Sequence, residues 1–125
     1  MEPDIPGDPP LDAVVVEPQG PPTGCVIWLH GLGADGWDFE PVVRGLGLAA
    51  RGIRAILPHA PQRPVTINGG MRMRAWYDIA TPDLTRDEDA AGIHASAAAV
   101  TRLLERERAN GIPPERLVLA GFSQG

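Results

Sequence analysis

The sequence of 125 residues has one cysteine, no lysine and no long apolar run. The single cysteine, Cys25, excludes an internal disulfide and a metal site built on several thiolates. It lies in the apolar run Cys25–Trp28, so we expect a buried, structural thiol. No stretch approaches the roughly 18 apolar residues of a membrane span. Residues 1–10 lack the basic and apolar regions of a signal peptide, and we expect a cytoplasmic protein.

Positive charge is also scarce. Eleven basic residues, all arginine, stand against 16 acidic residues, which gives a net charge of −5 and a pI near 5.0. This balance argues against a nucleic-acid or anionic-membrane partner. The hydrophobic fraction of 43% and the charged fraction of 22% are typical of a globular protein. The length suits one small domain with a core and is too short for two.

The apolar pattern predicts four strands and two helices. The predicted strands lie at residues 11–17, 25–29, 53–57 and 117–120. A helix at 37–48, with Asp38 as its N-cap, follows the second strand. A capping box formed by Thr85 and Glu88 starts the second helix, which ends at Asn110. The order predicts a mostly parallel α/β sheet with flanking helices over residues 11–125, preceded by a flexible tail at 1–10.

Each predicted helix has an apolar side that we expect to be buried. The two sets are Trp37, Val42, Val43 and Leu46, and Ile93, Ala97, Val100, Leu103 and Leu104. Between the third strand and the second helix, residues 58–82 show no helical period and contain the turn Asn68–Gly70. An excursion of this length is more often a functional loop than a simple connection.

The end of the fourth predicted strand carries a motif for nucleophilic catalysis. Residues Gly121–Gly125 match Gly-x-Ser-x-Gly, the nucleophile elbow, in which a serine sits at the tip of a sharp strand-to-helix turn. Glycines two residues before and after Ser123 are favoured because larger side chains would collide with neighbouring backbone. The pattern alone matches often by chance, but a strand of the buried type must precede it, and one does.

Acyl transfer also needs backbone N–H groups that point at the developing oxyanion. Gln124, directly after the serine, supplies one candidate, and Leu32 in the loop 30–33 after the second strand supplies the other. Because the carboxyl ends of parallel strands meet at one rim of an open sheet, we expect these loops to lie together. The alternative is that both are only tight glycine turns.

A serine needs a histidine to accept its proton and a carboxylate to orient that histidine. Three histidines are present. We expect the ring of His30 to brace the glycine-rich loop, and His94 to lie at the border of the second helix's apolar side. His59, just beyond the third strand, is a weaker candidate for the base. The usual chain order of this fold places the acid and the histidine after the serine, where this sequence has neither.

Taken together, the chain resembles the N-terminal part of the phospholipase/carboxylesterase family, which includes acyl-protein thioesterases. The resemblance rests on residues 26–36, 58–61, 65–71, 73–78 and 121–125, in the family's order. It implies an α/β-hydrolase fold without a metal or organic cofactor. It also implies Ser123 as nucleophile, with Leu32 and Gln124 as oxyanion-hole donors. Trp76 is then either a substrate contact near the acyl pocket or a packing residue.

The implied reaction is hydrolysis of a small-molecule carboxylic ester or acyl thioester through an acyl-enzyme on Ser123. The family's aspartate and histidine are absent, so the sequence is interpreted as a fold truncated after the elbow and, alone, essentially inactive. The alternative is a catalytically inactive fragment or a non-catalytic binding half. A dienelactone-hydrolase-like reaction is less favoured, because it prefers cysteine at position 123. An open edge at the last strand predicts poor solubility and self-association.

Overall fold

The computed structural model describes residues 11–83 and 86–125. The predicted tail at 1–10, and with it Leu84 and Thr85, lies outside the described residues. The described residues form six strands and two α-helices, with short 3-10 turns between some of them. They are β1 (Ala13–Val16), β2 (Gly24–Leu29), α1 (Glu40–Gly45), β3 (Ile53–Pro58), β4 (Gln62–Val65), β5 (Met71–Arg74), α2 (Ala90–Ala109) and β6 (Leu117–Gly121).

The main sheet has four strands in the order β1–β3–β2–β6. Strand β2 pairs in parallel with both β3 and β6, and β1 runs antiparallel to β3 at one edge. The mostly parallel α/β sheet expected from the sequence is confirmed, as are all four of its predicted strands to within two residues. None of the helices in the described ranges is long and apolar enough to cross a membrane.

Strand β2 lies in the interior of the sheet, and both of its faces are buried. Val26 belongs to a core that includes β1, β3 and Val43 of α1, with Trp28 packed against it. Cys25 and Ile27 point to the other face and pack against Leu103 of α2. Burial on both faces explains why its apolar residues are continuous rather than alternating.

The first helix is shorter than predicted. A 3-10 turn at Gly36–Phe39 comes first, and its cap is Asp35, whose side chain accepts a hydrogen bond from the Trp37 N–H at 2.9 Å. Asp38 is therefore not the N-cap. Of the predicted buried side only Val43 is buried, because a six-residue helix after a 3-10 turn cannot keep one face over residues 37–46. Trp37 is 57% exposed.

The excursion after β3 contains a hairpin that the sequence pattern did not predict. Strands β4 and β5 pair antiparallel, and the chain reverses through Gly69 and Gly70. Both glycines have positive φ angles of 69° and 81°, which confirms the predicted turn. The hairpin was missed because both strands have only four residues and β4 contains a proline and no apolar alternation. The alternation of Met and Arg in β5 is too short to predict a strand by itself.

The second helix begins later than predicted, at Ala90. Its N-cap is Asp89, whose carboxylate accepts a hydrogen bond from the Gly92 N–H at 3.0 Å. The capping box of Thr85 and Glu88 is therefore wrong as a helix start, although Thr85 itself is outside the described residues. The helix ends at Ala109 with Asn110 as its C-cap, which agrees with the predicted end.

The buried face of α2 is also rotated relative to the predicted stripe. Val100 and Leu103 are buried as expected, but Ile93 and Ala97 are exposed and Glu107 is 1% exposed. A carboxylate this deeply buried needs a partner, and the partner is Arg54 of β3. The Nη1 atom of Arg54 lies 3.2 Å from Glu107 Oε2. The Nε atom of Arg54 lies 2.9 Å from Glu17 Oε1, so one guanidinium bridges two carboxylates.

We expect replacement of Glu107 by alanine to lower the free energy of unfolding by about 3 kcal/mol, because Arg54 loses its buried partner. The matched control is Glu105→Ala on the same helix, which breaks an exposed ion pair to Arg108. It should cost less than about 1 kcal/mol. Urea unfolding curves of the three proteins measure the difference, and equal losses for both variants would contradict the assignment.

Cys25 is buried and unpaired, as predicted. Burial, with a further contribution from the Glu107 carboxylate, raises the pKa of its thiol to about 12. At pH 8 only roughly one thiol in ten thousand would then be the reactive thiolate. The folded protein should not react with Ellman's reagent, whereas the guanidinium-unfolded chain should release one equivalent of thionitrobenzoate. Rapid reaction of the folded protein would show that the thiol is accessible.

Candidate active site

Ser123 lies at the tip of a tight turn that begins where β6 ends. Its φ angle is +57°, and among the described residues only Asp87 shares a positive φ without being glycine. Such a conformation costs on the order of 1 to 3 kcal/mol and is concentrated at functional sites. The Gly125 N–H donates to the Phe122 carbonyl at 3.0 Å and closes the turn. The serine side chain is exposed.

The two glycines of the motif are required because the backbone approaches itself closely. A Cβ atom on Gly121 would lie 2.5 Å from the carbonyl carbon and oxygen of Gly125. A Cβ atom on Gly125 would lie 2.2 Å from the carbonyl oxygen of Leu29, at the end of β2. Real Cβ atoms do not approach backbone this closely. The spacing of the motif therefore follows from steric limits on both sides of Ser123.

The glycine-rich loop after β2 lies against the turn. A Cβ atom built on Gly31 would be 3.3 Å from the Cβ atom of Ser123, so the backbones of the two loops are in close contact. The Phe122 N–H donates to the Leu29 carbonyl at 3.1 Å and ties the two strand ends together. The structure thus brings the Ser123 turn and the loop containing Leu32 to the same end of the sheet.

Within residues 11–83 and 86–125, the backbone N–H groups of Leu32 and Gln124 donate to no other backbone group. Their neighbours do. The Gly33 N–H donates to the Arg74 carbonyl at 2.9 Å, and the Ala34 N–H donates to the Gly31 carbonyl at 3.2 Å. Uncommitted N–H groups next to a turn of this kind can stabilise a negatively charged oxygen.

The ring of His30 is fully buried and both of its nitrogens are occupied. The Ala60 N–H donates to Nε2 at 2.9 Å, so Nδ1 carries the proton and donates to the Gly31 carbonyl at 2.7 Å. Burial lowers the pKa of His30 because the charged imidazolium would be desolvated. The ring therefore braces the loop as a neutral group, in agreement with the expectation from the sequence, and has no free nitrogen to act as a base.

The other two histidines are not joined to Ser123 either. The Gly36 N–H donates to Nδ1 of His59 at 3.0 Å, and His94 is exposed on α2. In the described residues no histidine makes a hydrogen bond to Ser123. Nor do three His, Cys, Asp or Glu side chains in these ranges come close enough together to hold a metal ion.

Trp76, the possible substrate contact, is 3% exposed. Its indole Nε1–H donates to the His30 carbonyl at 2.8 Å and its backbone N–H donates to Gln124 Oε1 at 2.8 Å. The structure places it between the two loops as a packing residue, and contact with a substrate stays a prediction. The side chain of Gln124 was missed as a functional group, because its partners lie 47 and 48 positions earlier in the chain.

Comparison with known proteins places this geometry in a family. The profile of the phospholipase/carboxylesterase family matches residues 11–125. Acyl-protein thioesterase 1 of Schizosaccharomyces pombe is 42% identical over 117 residues, which cover 92% of this chain and 51% of that protein. The protein of the same name from Neurospora crassa is 44% identical over 110 residues, covering 82% of this chain and 45% of that protein.

A solved structure agrees with the sequence relatives. The crystal structure of Zea mays acyl-protein thioesterase 2 superposes with a TM-score of 0.72 at 38% identity, covering 90% of this chain and 46% of that one. The predicted α/β-hydrolase fold is confirmed. The chain spans about half the length of the curated relatives that it matches. With its matched residues including the serine turn and the glycine-rich loop, the chain belongs to the phospholipase/carboxylesterase family.

Proposed function

We propose that the protein is a serine hydrolase of carboxylic esters or acyl thioesters, with Ser123 as its nucleophile. The observation that carries the proposal is the left-handed conformation of Ser123 at a turn in contact with the glycine-rich loop. The uncommitted N–H groups of Leu32 and Gln124 support it further. The relatives named as acyl-protein thioesterases support an acyl ester or thioester as the class of substrate.

In the proposed reaction, the Ser123 oxygen attacks the carbonyl carbon of the substrate while its proton passes to a base. The carbonyl oxygen becomes an oxyanion that accepts hydrogen bonds from the Leu32 and Gln124 N–H groups. Collapse of this intermediate expels the alcohol or thiol, which takes up the proton from the base. Water then attacks the acyl-serine by the reverse sequence, which releases the carboxylic acid and restores Ser123.

We also propose that the base and its carboxylate partner lie outside these 125 residues. The rings of His30 and His59 make hydrogen bonds elsewhere, and His94 is exposed on α2. The related thioesterases are about twice as long as this chain. Residues 11–125 are accordingly proposed as the N-terminal portion of one hydrolase domain. The 125-residue polypeptide alone should hydrolyse esters only weakly. A cytoplasmic location also stays a prediction.

A second proposal concerns the free edge of β6. Its neighbour on one side is β2, and no strand among the described residues pairs with its other side. Val118 is 57% exposed and Leu119 is 51% exposed, an apolar surface on a strand with unpaired backbone groups. This edge favours association of the 125-residue polypeptide with itself or with a complementing polypeptide.

The central prediction is that the full product of the reading frame hydrolyses p-nitrophenyl acetate and loses that activity in Ser123→Ala. We expect a loss of about 10³-fold or more, because removing the nucleophile leaves only oxyanion stabilisation and binding. A fluorophosphonate probe should label the unmodified protein at Ser123, as shown by peptide mass spectrometry. A suitable control is Thr23→Ala, which removes an exposed hydroxyl just before β2, at the end of the sheet away from Ser123.

Two outcomes would refute this proposal. One is a Ser123→Ala variant with undiminished activity, and the other is a folded, full-length protein in which the probe leaves Ser123 unlabelled. Stoichiometric labelling of the 125-residue polypeptide at the same rate as the full-length protein would instead refute the need for an outside base.

Self-association is tested on the 125-residue polypeptide by light scattering after size exclusion. We expect a mass above that of the monomer and a shift toward the monomer in Val118→Lys, because a charge on the edge strand disfavours pairing. The control is Val15→Lys, which adds the same charge to the exposed face of β1 at the opposite edge of the sheet. Equal effects of both substitutions would show that association does not depend on β6.

A further inference from the structure

Trp76 connects three separate parts of the molecule through its polar groups. Its indole N–H donates to the carbonyl of His30, at the start of the glycine-rich loop. Its backbone N–H donates to the side chain of Gln124, in the serine turn. Its carbonyl accepts a hydrogen bond from the hydroxyl of Ser96 on α2. One residue of the excursion is thus bonded to both loops of the site and to a helix.

The ring of Trp76 strengthens the first of these connections. Its centroid lies 5.1 Å from that of the His30 imidazole, and this packing restricts the orientation of the histidine ring. The His30 ring in turn bonds the Gly31 carbonyl and the Ala60 N–H. The Leu32 N–H belongs to the peptide whose carbonyl, that of Gly31, binds His30 Nδ1, and Trp76 holds the preceding peptide through the His30 carbonyl. The direction of the Leu32 N–H therefore depends on two successive peptides that His30 and Trp76 hold.

The side chain of Gln124 makes the second connection. It is 8% exposed and uses both ends of its amide, since Oε1 accepts from the Trp76 N–H at 2.8 Å and Nε2 donates to the Tyr77 carbonyl at 2.7 Å. These two bonds fix the orientation of the amide without ambiguity. They also fix the residue whose own backbone N–H is the second proposed donor to the oxyanion.

We propose that Trp76 and the Gln124 side chain are positioning residues that set the separation and direction of the Leu32 and Gln124 N–H groups. This inference rests on the proposed function and goes beyond it. Both residues act through the peptides they hold, and they do so as one network, because a single bond joins them.

The test uses the full-length protein and compares Trp76→Phe with Trp28→Phe. Phenylalanine at 76 keeps an aromatic ring but removes the indole N–H that binds the His30 carbonyl. The Trp28 indole N–H has no hydrogen-bond partner among the described residues, so the control removes an N–H that binds nothing there. We expect kcat for an aryl ester to fall roughly tenfold or more in Trp76→Phe with KM unchanged, and to stay near its original value in the control.

A second substrate separates positioning from general damage. An aryl thionoester carries sulfur in place of the carbonyl oxygen, and sulfur is a larger and weaker hydrogen-bond acceptor. Misplaced N–H donors should therefore lower kcat for the ester much more than kcat for the thionoester. A loss of folded protein would lower both rates equally and leave their ratio unchanged.

Gln124→Met provides an independent variant of similar side-chain length without the amide. It should lower the ester-to-thionoester ratio in the same direction as Trp76→Phe. In the double variant the combined loss should be smaller than the product of the single losses, because the two residues share one network. Gln124→Met also keeps the test valid if Trp76→Phe does not fold.

An unchanged ester-to-thionoester ratio in both folded variants would overturn the inference. Fully multiplicative losses would overturn the claim of a single network. Neither result affects the role of Ser123, which is tested separately by Ser123→Ala. Conversely, if Ser123→Ala retained activity, the proposed function and this inference would fail together.

Discussion

The parallel pairing of β2 with β6 is the constraint on which the site depends. The register aligns Leu29 with Gly121, so both strands end at the same level of the sheet. The chain leaves β2 into the glycine-rich loop and leaves β6 into the turn of Ser123, and the Phe122 N–H bonded to the Leu29 carbonyl locks the two exits together. A slip of one residue would displace the loops by about 3.3 Å and reverse the faces of the β6 side chains.

This constraint explains how a strained residue can persist at a surface. The left-handed Ser123 is held by hydrogen bonds on both sides of it, at the Phe122 and Gly125 amides, and by glycines where the backbones touch. Trp76, in the segment between β3 and α2, supports the turn further through its hydrogen bond to the Gln124 side chain. The turn persists because the surrounding contacts stabilise it by more than the left-handed conformation of serine costs.

The sequence predicted the parts of this arrangement that depend on residues close together in the chain. Continuous apolar runs such as Cys25–Leu29 predict buried strands, and the glycine spacing around Ser123 reflects contacts within a few residues of the turn. The parts it did not predict depend on partners far away in sequence. Glu107 can be buried only because Arg54 pairs with it, and the Gln124 amide depends on a partner in the excursion, Trp76. Neither pairing leaves a periodic pattern in the sequence. For the same reason Asp35 caps the 3-10 turn before α1 and Asp89 caps α2, rather than Asp38 and the Thr85–Glu88 pair. Several acidic residues lie near each start, and only tertiary packing selects among them.

The exposed edge of β6 and the base that the proposed function requires are linked by the geometry of the sheet. A strand added in parallel to the free edge of β6 would end level with Gly121, as β2 does on the other side. Its following loop would then leave the sheet beside Ser123, opposite the glycine-rich loop. The same strand would cover Val118 and Leu119, which are now exposed. A polypeptide that pairs in parallel with this apolar edge is therefore also placed to bring side chains beside the turn of Ser123. Under the proposed function, completion of the sheet and activation of the serine are then expected to occur together.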